Sequence, residues 1–356
     1  MPSDDLLIGP DAVLVHVGPY KTGTTALQMS LHAHRRELAQ HQVTYPGSHH
    51  RQMRPSWALV GRSRLGHPAV PMTEWGELVA ECRAATGRVM ISSEDLSSAS
   101  PEQARTLVDD LGTDRVHVVF VVRRLDRLLA SSWQERVKSV HEVRSYDEWL
   151  REVLLDPRSR AAETFWRHQS VAAQEGLWTT VLPPERVTLV VADEQDRALL
   201  HRLVERMLGL PRETLTVPPS ANTSLSWNRA ELVRGVNAGV QSGAWPPRLH
   251  RRLVYAGLVA RLQDSPADTG DSPVPALPGW AQGRIHELSA QRAQEVRRAK
   301  VRVVGDPDLL RTTDATATCG HGHQPTTISV DTAVDAVTGV LDALQRPRSR
   351  RARGPS

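Results

Sequence analysis

One short segment of this sequence combines several residue types that bind anions. It reads GPYKTGTT, from Gly18 to Thr25, and lies between an apolar run and an amphipathic helical pattern. Glycines permit a tight turn, N–H groups at a helix start point towards a ligand, threonines add hydroxyl donors and Lys21 adds a full charge. We therefore expect a bound phosphate-like anion here. The alternative is a Gly/Thr turn that only caps the helix.

The order of residues in this segment separates it from the common nucleotide-triphosphate loop, in which Lys directly follows the last Gly. Here Lys21 precedes Gly23. That order resembles the 5'-phosphosulfate loop of sulfotransferases that use 3'-phosphoadenosine 5'-phosphosulfate (PAPS). It resembles the bacterial branch most, whose loop reads H-V-G-x-x-K-T-G-T-T, as residues 16–25 do. The resemblance implies that Lys21, Thr22, Gly23, Thr24 and Thr25 bind the cofactor and that Lys21 is also catalytic.

A second motif follows a later apolar run, Val116–Val122. Arg123 stands at its end, Ser131 follows eight positions later, and Trp133 two positions after that. This spacing resembles that of the residues in the family's 3'-phosphate site. The resemblance implies that Arg123 and Ser131 bind the cofactor. Arg offers a planar, permanently charged fork to a phosphate. Ordinary pairing of the arginine with Asp126 is the alternative.

A carboxylate, Glu94, follows the apolar run that precedes Val116–Val122 in the sequence. Glu94 follows Arg88–Ile91 through two serines, and sulfuryl transfer to a hydroxyl needs a base that takes the acceptor's proton. We predict that Glu94 is this catalytic base, the alternatives being a capping role or an ion pair with an arginine. Members of the family that are cytosolic have Lys-Thr-His at this strand end, so the base changes type here and the second Lys is missing. His16, within the first apolar run, is interpreted as a core histidine.

The elements that position these residues alternate between strands and helices. Such alternation predicts an α/β fold, a three-layer α/β/α sandwich around a short parallel sheet, with a helical C-terminal part. The resemblance implies the sulfotransferase variant of the P-loop architecture. Predicted strands are 12–17, 88–91, 116–122 and 187–191, and predicted helices are 24–38, 74–85, 101–111, 125–140, 285–301 and 330–344. In such sheets, ligands bind where the strands end at their carboxyl side.

The chain of 356 residues is long enough for one large domain or two ordinary ones. We predict a sulfotransferase core over 1–263, a loop or linker over 264–283 and a helical extension over 284–345. A basic tail over 346–356 is predicted to be disordered, with a solvated role rather than nucleic-acid or membrane attachment.

The composition predicts the cellular compartment of the protein and excludes some classes of binding partner. The two cysteines, Cys82 and Cys319, have no metal-ligand or redox spacing, which favours a reducing compartment. The cysteine usage predicts a cytoplasmic protein, and the lack of an apolar run of membrane-spanning length predicts no integral membrane association. Because much of the excess positive charge lies in the tail, we predict no nucleic-acid partner. The segment from Cys319 to His323 is too sparse in ligands to predict zinc, and no metal is expected.

Together these features predict a sulfotransferase that moves a sulfuryl group from PAPS, as co-substrate, to a hydroxyl or amine of a small-molecule or carbohydrate acceptor. The acceptor pocket is expected from the segment Tyr45–Thr73 and the helical C-terminal part. Two alternatives stay open at this point. One is a P-loop small-molecule kinase, and the other is a non-catalytic nucleotide-binding protein.

Overall fold

The structure is a computed structural model, and it describes residues 6–63, 68–139, 142–216, 224–243, 245–266, 268, 271–272, 275–312 and 324–345. The chain divides into two compact units. The first comprises 1–129, 150–222 and 278–318, and the second comprises 130–149, 223–277 and 319–356. In the described part of the chain, no helix combines the length and the apolar character needed to cross a membrane.

A six-stranded parallel sheet forms the centre of the first unit. Its strands are β1 (Val13–His16), β2 (Val43–Thr44), β3 (Arg88–Ser92), β4 (Val116–Val122), β5 (Val187–Val191) and β6 (Arg302–Val304). Their order across the sheet is β2-β3-β1-β4-β5-β6. All pairs are parallel, so every strand ends at the same edge of the sheet.

Helices cover both faces of this sheet, because alternate strand residues enter two separate apolar clusters. Val13 and Val15 belong to the cluster on one face. Leu14 and Met90 belong to the cluster on the other. Side chains along a strand point alternately to its two faces, and a strand covered on both sides is therefore apolar throughout. The predicted three-layer α/β/α arrangement is confirmed.

The helices of the first unit include a counterpart of each helix predicted between residues 24 and 301. They are α1 (Thr24–Ala33), α2 (Arg35–Gln40), α3 (Met53–Val60), α4 (Thr73–Ala84), α5 (Pro101–Leu111), α6 (Leu125–Lys138), α7 (Tyr146–Leu155), α8 (Arg160–Gln169), α9 (Val171–Thr179), α10 (Leu199–Leu208) and later α14 (Gly279–Arg298). Helices α6 and α7 each run across the boundary between the units. The start of helix α5 is determined by nearby residues, because Ser100 and Gln103 form a reciprocal capping box there.

The second unit is helical. It contains α11 (Trp227–Ser242), α12 (Pro247–His250), a π-helical segment (Arg251–Val259), α13 (Ala260–Asp264) and α15 (Val330–Gln345). The π-helical segment packs on α15 where two glycines meet. A Cβ on Gly257 would lie 2.6 Å from the Gly339 carbonyl oxygen, so neither position accepts a side chain without a shift.

Some observed elements differ from the predicted ones. The helix expected over 24–38 breaks at His34, where the backbone leaves helical geometry and Nδ1 lies 2.8 Å from the Ser30 carbonyl oxygen. Strands β2 and β6 were not predicted, because two and three residues are too few to show a period. The domain limits within 1–263, 264–283 and 284–345 stay a prediction, and the tail over 346–356 lies outside the described residues.

Candidate active site

The strand order indicates where a ligand would bind, at the edge formed by the carboxyl ends of the strands. β1 lies between β3 and β4, so the chain connections diverge on either side of it. In open parallel sheets, ligands bind in the crevice that such a reversal leaves beyond the carboxyl ends of the strands. The segment Gly18–Thr25 follows β1, Glu94 follows β3 and Arg123 follows β4. The fold thus brings three of the sequence-predicted positions to one edge within the first unit.

The loop after β1 has the backbone of an anion-binding turn. Its glycines, Gly18 and Gly23, have φ of 85° and 93°, and Lys21 has φ of 70°. Only glycine adopts such values without strain, so Lys21 holds a costly conformation that the surrounding loop must maintain. Thr22 Oγ1 donates a hydrogen bond to the Pro19 carbonyl oxygen at 2.6 Å, which closes the turn.

The start of α1 is open to a ligand. Its N-cap is Gly23, and no side chain caps the helix, which excludes the interpretation of the threonines as a simple cap. The Thr24 hydroxyl is buried and has no hydrogen-bond partner among the described residues. A Cβ added to Gly23 would meet no atom within 4 Å. A buried donor without a partner, beside open space and uncapped N–H groups, fits a bound phosphate-like oxygen.

Glu94 lies directly against the loop that follows β1. A Cβ on Gly18 would lie 2.9 Å from both Cα and Cβ of Glu94, so the two backbones touch. The adjacent Ser93 N–H donates to the His16 carbonyl oxygen at 2.9 Å, which ties the end of β3 to the end of β1. The anion-binding loop and the carboxylate are thereby fixed relative to each other by the main chain.

The Glu94 carboxylate is held in surroundings that suit a base. Its side chain is 12% exposed, and Oε2 accepts a hydrogen bond from Gln28 Nε2 at 2.9 Å. Arg51 Nη1 lies 3.9 Å from Oε1. Burial, followed by the charge of Asp95, raises the pKa of Glu94, and the Gln28 hydrogen bond and Arg51 only partly oppose this. A desolvated carboxylate with a raised pKa accepts a proton more readily than an exposed one does.

The neighbouring Asp95 is occupied by other groups. Tyr20 donates a hydrogen bond to its Oδ1, and Arg62 Nη1 lies 2.5 Å from the same oxygen. The Tyr20 ring also contacts His168 edge to face, with ring centroids 5.2 Å apart. Asp95 therefore braces the loop through Tyr20, whereas the Glu94 carboxylate is contacted by Gln28 and Arg51.

Arg123 meets a carboxylate that the sequence pattern did not indicate. Its Nε and Nη2 donate to the two oxygens of Glu194 at 2.5 and 2.6 Å, and its Nη1 donates to the Lys21 carbonyl oxygen at 2.9 Å. Burial opposes ionisation of Glu194, but the hydrogen bonds and charge of Arg123 outweigh it and lower the pKa of Glu194. Arg123 is thus aimed at the loop and presents its fork to a two-oxygen anion. Arg124 instead pairs with Asp126, its Nη2 lying 2.8 Å from Oδ2.

The Arg123 pair leads to a prediction about phosphate binding. Arg123→Ala should weaken binding of adenosine 3',5'-bisphosphate by about 2 to 4 kcal/mol, the value of a charged hydrogen-bonded contact. Glu194→Gln should strengthen it severalfold, because a neutral amide releases the guanidinium to a phosphate more easily. Isothermal titration calorimetry with adenosine 5'-monophosphate as control checks both. A loss of discrimination in Arg124→Ala, with none in Arg123→Ala, would place the phosphate contact one residue later.

Ser131 lies on α6 as expected, eight residues after Arg123, and belongs to the second unit. Its role in cofactor binding stays a prediction. Trp133, two residues further, is fully buried within that unit, and its Nε1 donates to the Arg144 carbonyl oxygen at 3.1 Å. The ring packs near Tyr146, with centroids 5.4 Å apart. Trp133 is therefore part of the core of the second unit.

His16 is a core histidine, as interpreted from the sequence. It is fully buried, its Nδ1 lies 2.9 Å from Ser92 Oγ, and burial lowers its pKa to about 3. It is uncharged at neutral pH. The base expected at the edge of the sheet is thus better supplied by Glu94, which is partly accessible.

Sequence reasoning missed two residues that act on the candidate site. Gln28 is fully buried, and its Nε2 contacts both Glu94 and the Ser92 carbonyl oxygen, the latter at 3.0 Å. Its position one turn after Thr24 on the loop-facing end of α1 was the available signal. Glu194 follows β5 closely, at the same edge where Arg123 follows β4. An acidic residue after a neighbouring parallel strand was the signal there.

A cavity of about 440 Å³ lies within the first unit, in the segment expected to form the acceptor pocket. It is bounded by residues 47–55 and by α4 between Glu74 and Glu81. Arg51 lines it, and the same guanidinium approaches Glu94. A path of contacts thus leads from this cavity to the candidate base.

In the ranges that the structure describes, no group of three or more His, Cys, Asp or Glu residues is placed to hold an ion. The segment from Cys319 to His323 lies outside those ranges.

Comparison with known proteins gave a structural similarity and no match of sequence. No family model matches the chain, and no curated protein matches its sequence. Among solved structures, the chain is similar to a sulfotransferase from Alicyclobacillus acidocaldarius, with 16% sequence identity and a TM-score of 0.45. The alignment covers 87% of this chain and 99% of that one.

Proposed function

We propose that this chain is a PAPS-dependent sulfotransferase. One observation carries the proposal. A loop with the residue order Lys-Thr-Gly-Thr-Thr, an uncapped helix start and a buried hydroxyl without a partner lies in backbone contact, through Gly18, with the desolvated carboxylate of Glu94. An anion site beside a proton acceptor is the pair of functions that sulfuryl transfer to a hydroxyl needs.

The donor half of the site is assigned to the loop and to the end of β4. The N–H groups of Thr22, Gly23, Thr24 and Thr25 would hold the 5'-phosphosulfate, with the Thr24 hydroxyl as a further donor. Arg123, released from Glu194, and Ser131 would hold the 3'-phosphate. PAPS supplies the sulfuryl group and a leaving phosphate whose negative charge grows as the bridging S–O bond breaks. Lys21 would stabilise that charge at the bridging oxygen.

The acceptor half is assigned to Glu94 and to the cavity beside it. Glu94 would take the proton from the acceptor hydroxyl while the new S–O bond forms, so the proton ends on the carboxylate. Gln28 would keep that carboxylate oriented and partly stabilise its ionised form. Because Arg51 joins the cavity to Glu94, the body of a small-molecule or carbohydrate acceptor would lie against residues 47–55.

The donor assignment is tested by thermal unfolding. Adenosine 3',5'-bisphosphate at 100 times its Kd should stabilise the fold by about 2.7 kcal/mol, since a ligand that binds only the folded chain shifts unfolding by mass action. ATP with Mg²⁺ should stabilise it far less. Equal stabilisation by ATP with Mg²⁺ would favour a small-molecule kinase. Stabilisation by the bisphosphate without sulfuryl transfer to any acceptor in a mass-spectrometric screen would favour a non-catalytic nucleotide-binding protein.

A further inference from the structure

A second cavity lies in the first unit, and its lining includes no described residue of the loop after β1. It has a volume of about 350 Å³ and is lined by the end of α7, by α8 and by α14. Much of its wall is apolar, from Leu154, Trp166 and Leu288. Arg284 and Arg292 supply positive charge from α14. Neither the sequence motifs nor the proposed reaction uses this cavity.

Arg292 is the unusual group in this wall. The residue is 4% exposed, yet no ion pair to it forms within the described part of the chain. Its Nη1 donates a hydrogen bond to the Gln169 carbonyl oxygen. Its Nη2 lies 3.4 Å from the Arg123 carbonyl oxygen. Its Nε–H is buried and has no hydrogen-bond partner among the described residues.

The cost of burying the Arg292 charge is only partly compensated by the protein. Glu295, one turn later, also lines the cavity and opposes the effect of burial, but its Oε1 accepts a hydrogen bond from Gln291 at 3.1 Å. Burial lowers the pKa of Arg292 to about 10, so it is still charged at neutral pH. A buried charge whose hydrogen bonds go to carbonyl groups alone is costly, and a bound anion would lower that cost.

The remaining wall suits an aromatic or alkyl body. The indole N–H of Trp166 already donates to the Val153 carbonyl oxygen at 3.0 Å, so the ring can offer its apolar surface. Leu288 is half-buried and lies one turn before Arg292 on α14. Arg284 is 46% exposed and pairs with Glu287 at 3.3 Å. It can add a second, weaker attraction for an anion.

We propose that this cavity binds a small organic anion, of the aromatic carboxylate, sulfonate or sulfate-ester class, with its anionic group on Arg292 and its ring against Trp166 and Leu288. The site is separate from the proposed donor site. Its contacts nevertheless reach that site's supports, since Gln169 Nε2 donates to the Tyr20 carbonyl oxygen at 3.1 Å. Binding of the anion and of a nucleotide must therefore be measured together.

The probe is 1-naphthalenesulfonate, followed by isothermal titration calorimetry and by quenching of tryptophan fluorescence. The wild-type chain should bind it with a Kd in the micromolar range and should bind uncharged naphthalene-1-methanol at least about tenfold more weakly, a difference of 1.4 kcal/mol. Saturating adenosine 3',5'-bisphosphate should change the Kd of the probe less than about threefold. Failure of the proposed sulfuryl transfer would leave this expectation unchanged.

Three variants decide the outcome. Leu288→Trp fills the cavity and leaves Arg292 in place, so it should abolish binding even if Arg292→Gln fails to fold. Arg292→Gln, where folded, should lose the preference for the anion over the alcohol. Arg298→Gln removes the same charge from an exposed position of α14 and should bind like wild type. Unchanged binding in Leu288→Trp, no binding up to about 5 mM, or full competition with the nucleotide each overturns the proposal.

Discussion

Lys21→Ala should lower kcat about a hundredfold or more while the melting temperature stays near that of wild type. The expected loss follows from the position of Lys21 in the loop, where charge would develop on the leaving phosphate. Both Lys and Ala carry a Cβ, so the left-handed backbone at this residue is equally strained in the two proteins. Lys21→Arg should restore only part of the rate, because a planar fork does not replace a point charge at one oxygen. Single-turnover sulfuryl transfer from PAPS measures the effect.

Lys300→Ala is the matched control for this variant. Lys300 is an exposed lysine of the first unit, and the Glu175 contact there is made by its backbone N–H rather than by the ammonium group. Its removal should leave kcat unchanged. A kcat within about threefold of wild type in Lys21→Ala would exclude Lys21 from charge stabilisation in the transition state.

Glu94→Gln should abolish transfer to an alkyl hydroxyl and leave the Kd of adenosine 3',5'-bisphosphate almost unchanged. An amide cannot take the acceptor's proton, and general-base catalysis contributes about 10² to 10⁴ in rate. The defect should shrink for an activated phenol, which ionises without help. Near-wild-type turnover of an alkyl alcohol by the variant would show that another group is the base.

The pH profile gives an independent reading of Glu94. A base must be ionised, and burial raises the pKa of Glu94, so kcat should fall on the acid side at a higher pH than an ordinary carboxylate would give. Gln28 donates to this carboxylate and favours its ionised form. Gln28→Leu should therefore move the acid limb further towards neutral pH, whereas a merely structural role of Gln28 would lower the rate equally at every pH.

The sheet was predictable from sequence because its central strands consist mostly of apolar, β-branched residues. Val116–Val122 and Val187–Val191 have the predicted bounds, and the loop after β1 has the predicted place before a helix. Local composition determines such elements, since a strand that is covered on both faces shows a continuous apolar run. The edge strands β2 and β6 escaped prediction for the converse reason. Their residues pair with the sheet without any local pattern that marks them.

The partners of the predicted site residues were harder to infer. Glu194 meets Arg123 only because β5 pairs with β4, with Val191 opposite Val122, which places the two strand ends side by side. Likewise, Gln28 reaches Glu94 only because α1 packs beside the end of β3. Both contacts join residues more than sixty positions apart in sequence. The strand order that creates them is a property of the folded sheet and is not encoded in either segment alone.

The backbone contact between Gly18 and Glu94 would limit how the proposed enzyme changes its acceptor during evolution. Any side chain at position 18 would collide with the main chain at Glu94, so the positions of the donor loop and of the proposed base are fixed relative to each other. A substitution that shifts the donor loop would therefore also shift Glu94. New acceptors would therefore be gained more easily by exchanging residues 47–55, which line the neighbouring cavity. Chemistry would be inherited unchanged while specificity drifts.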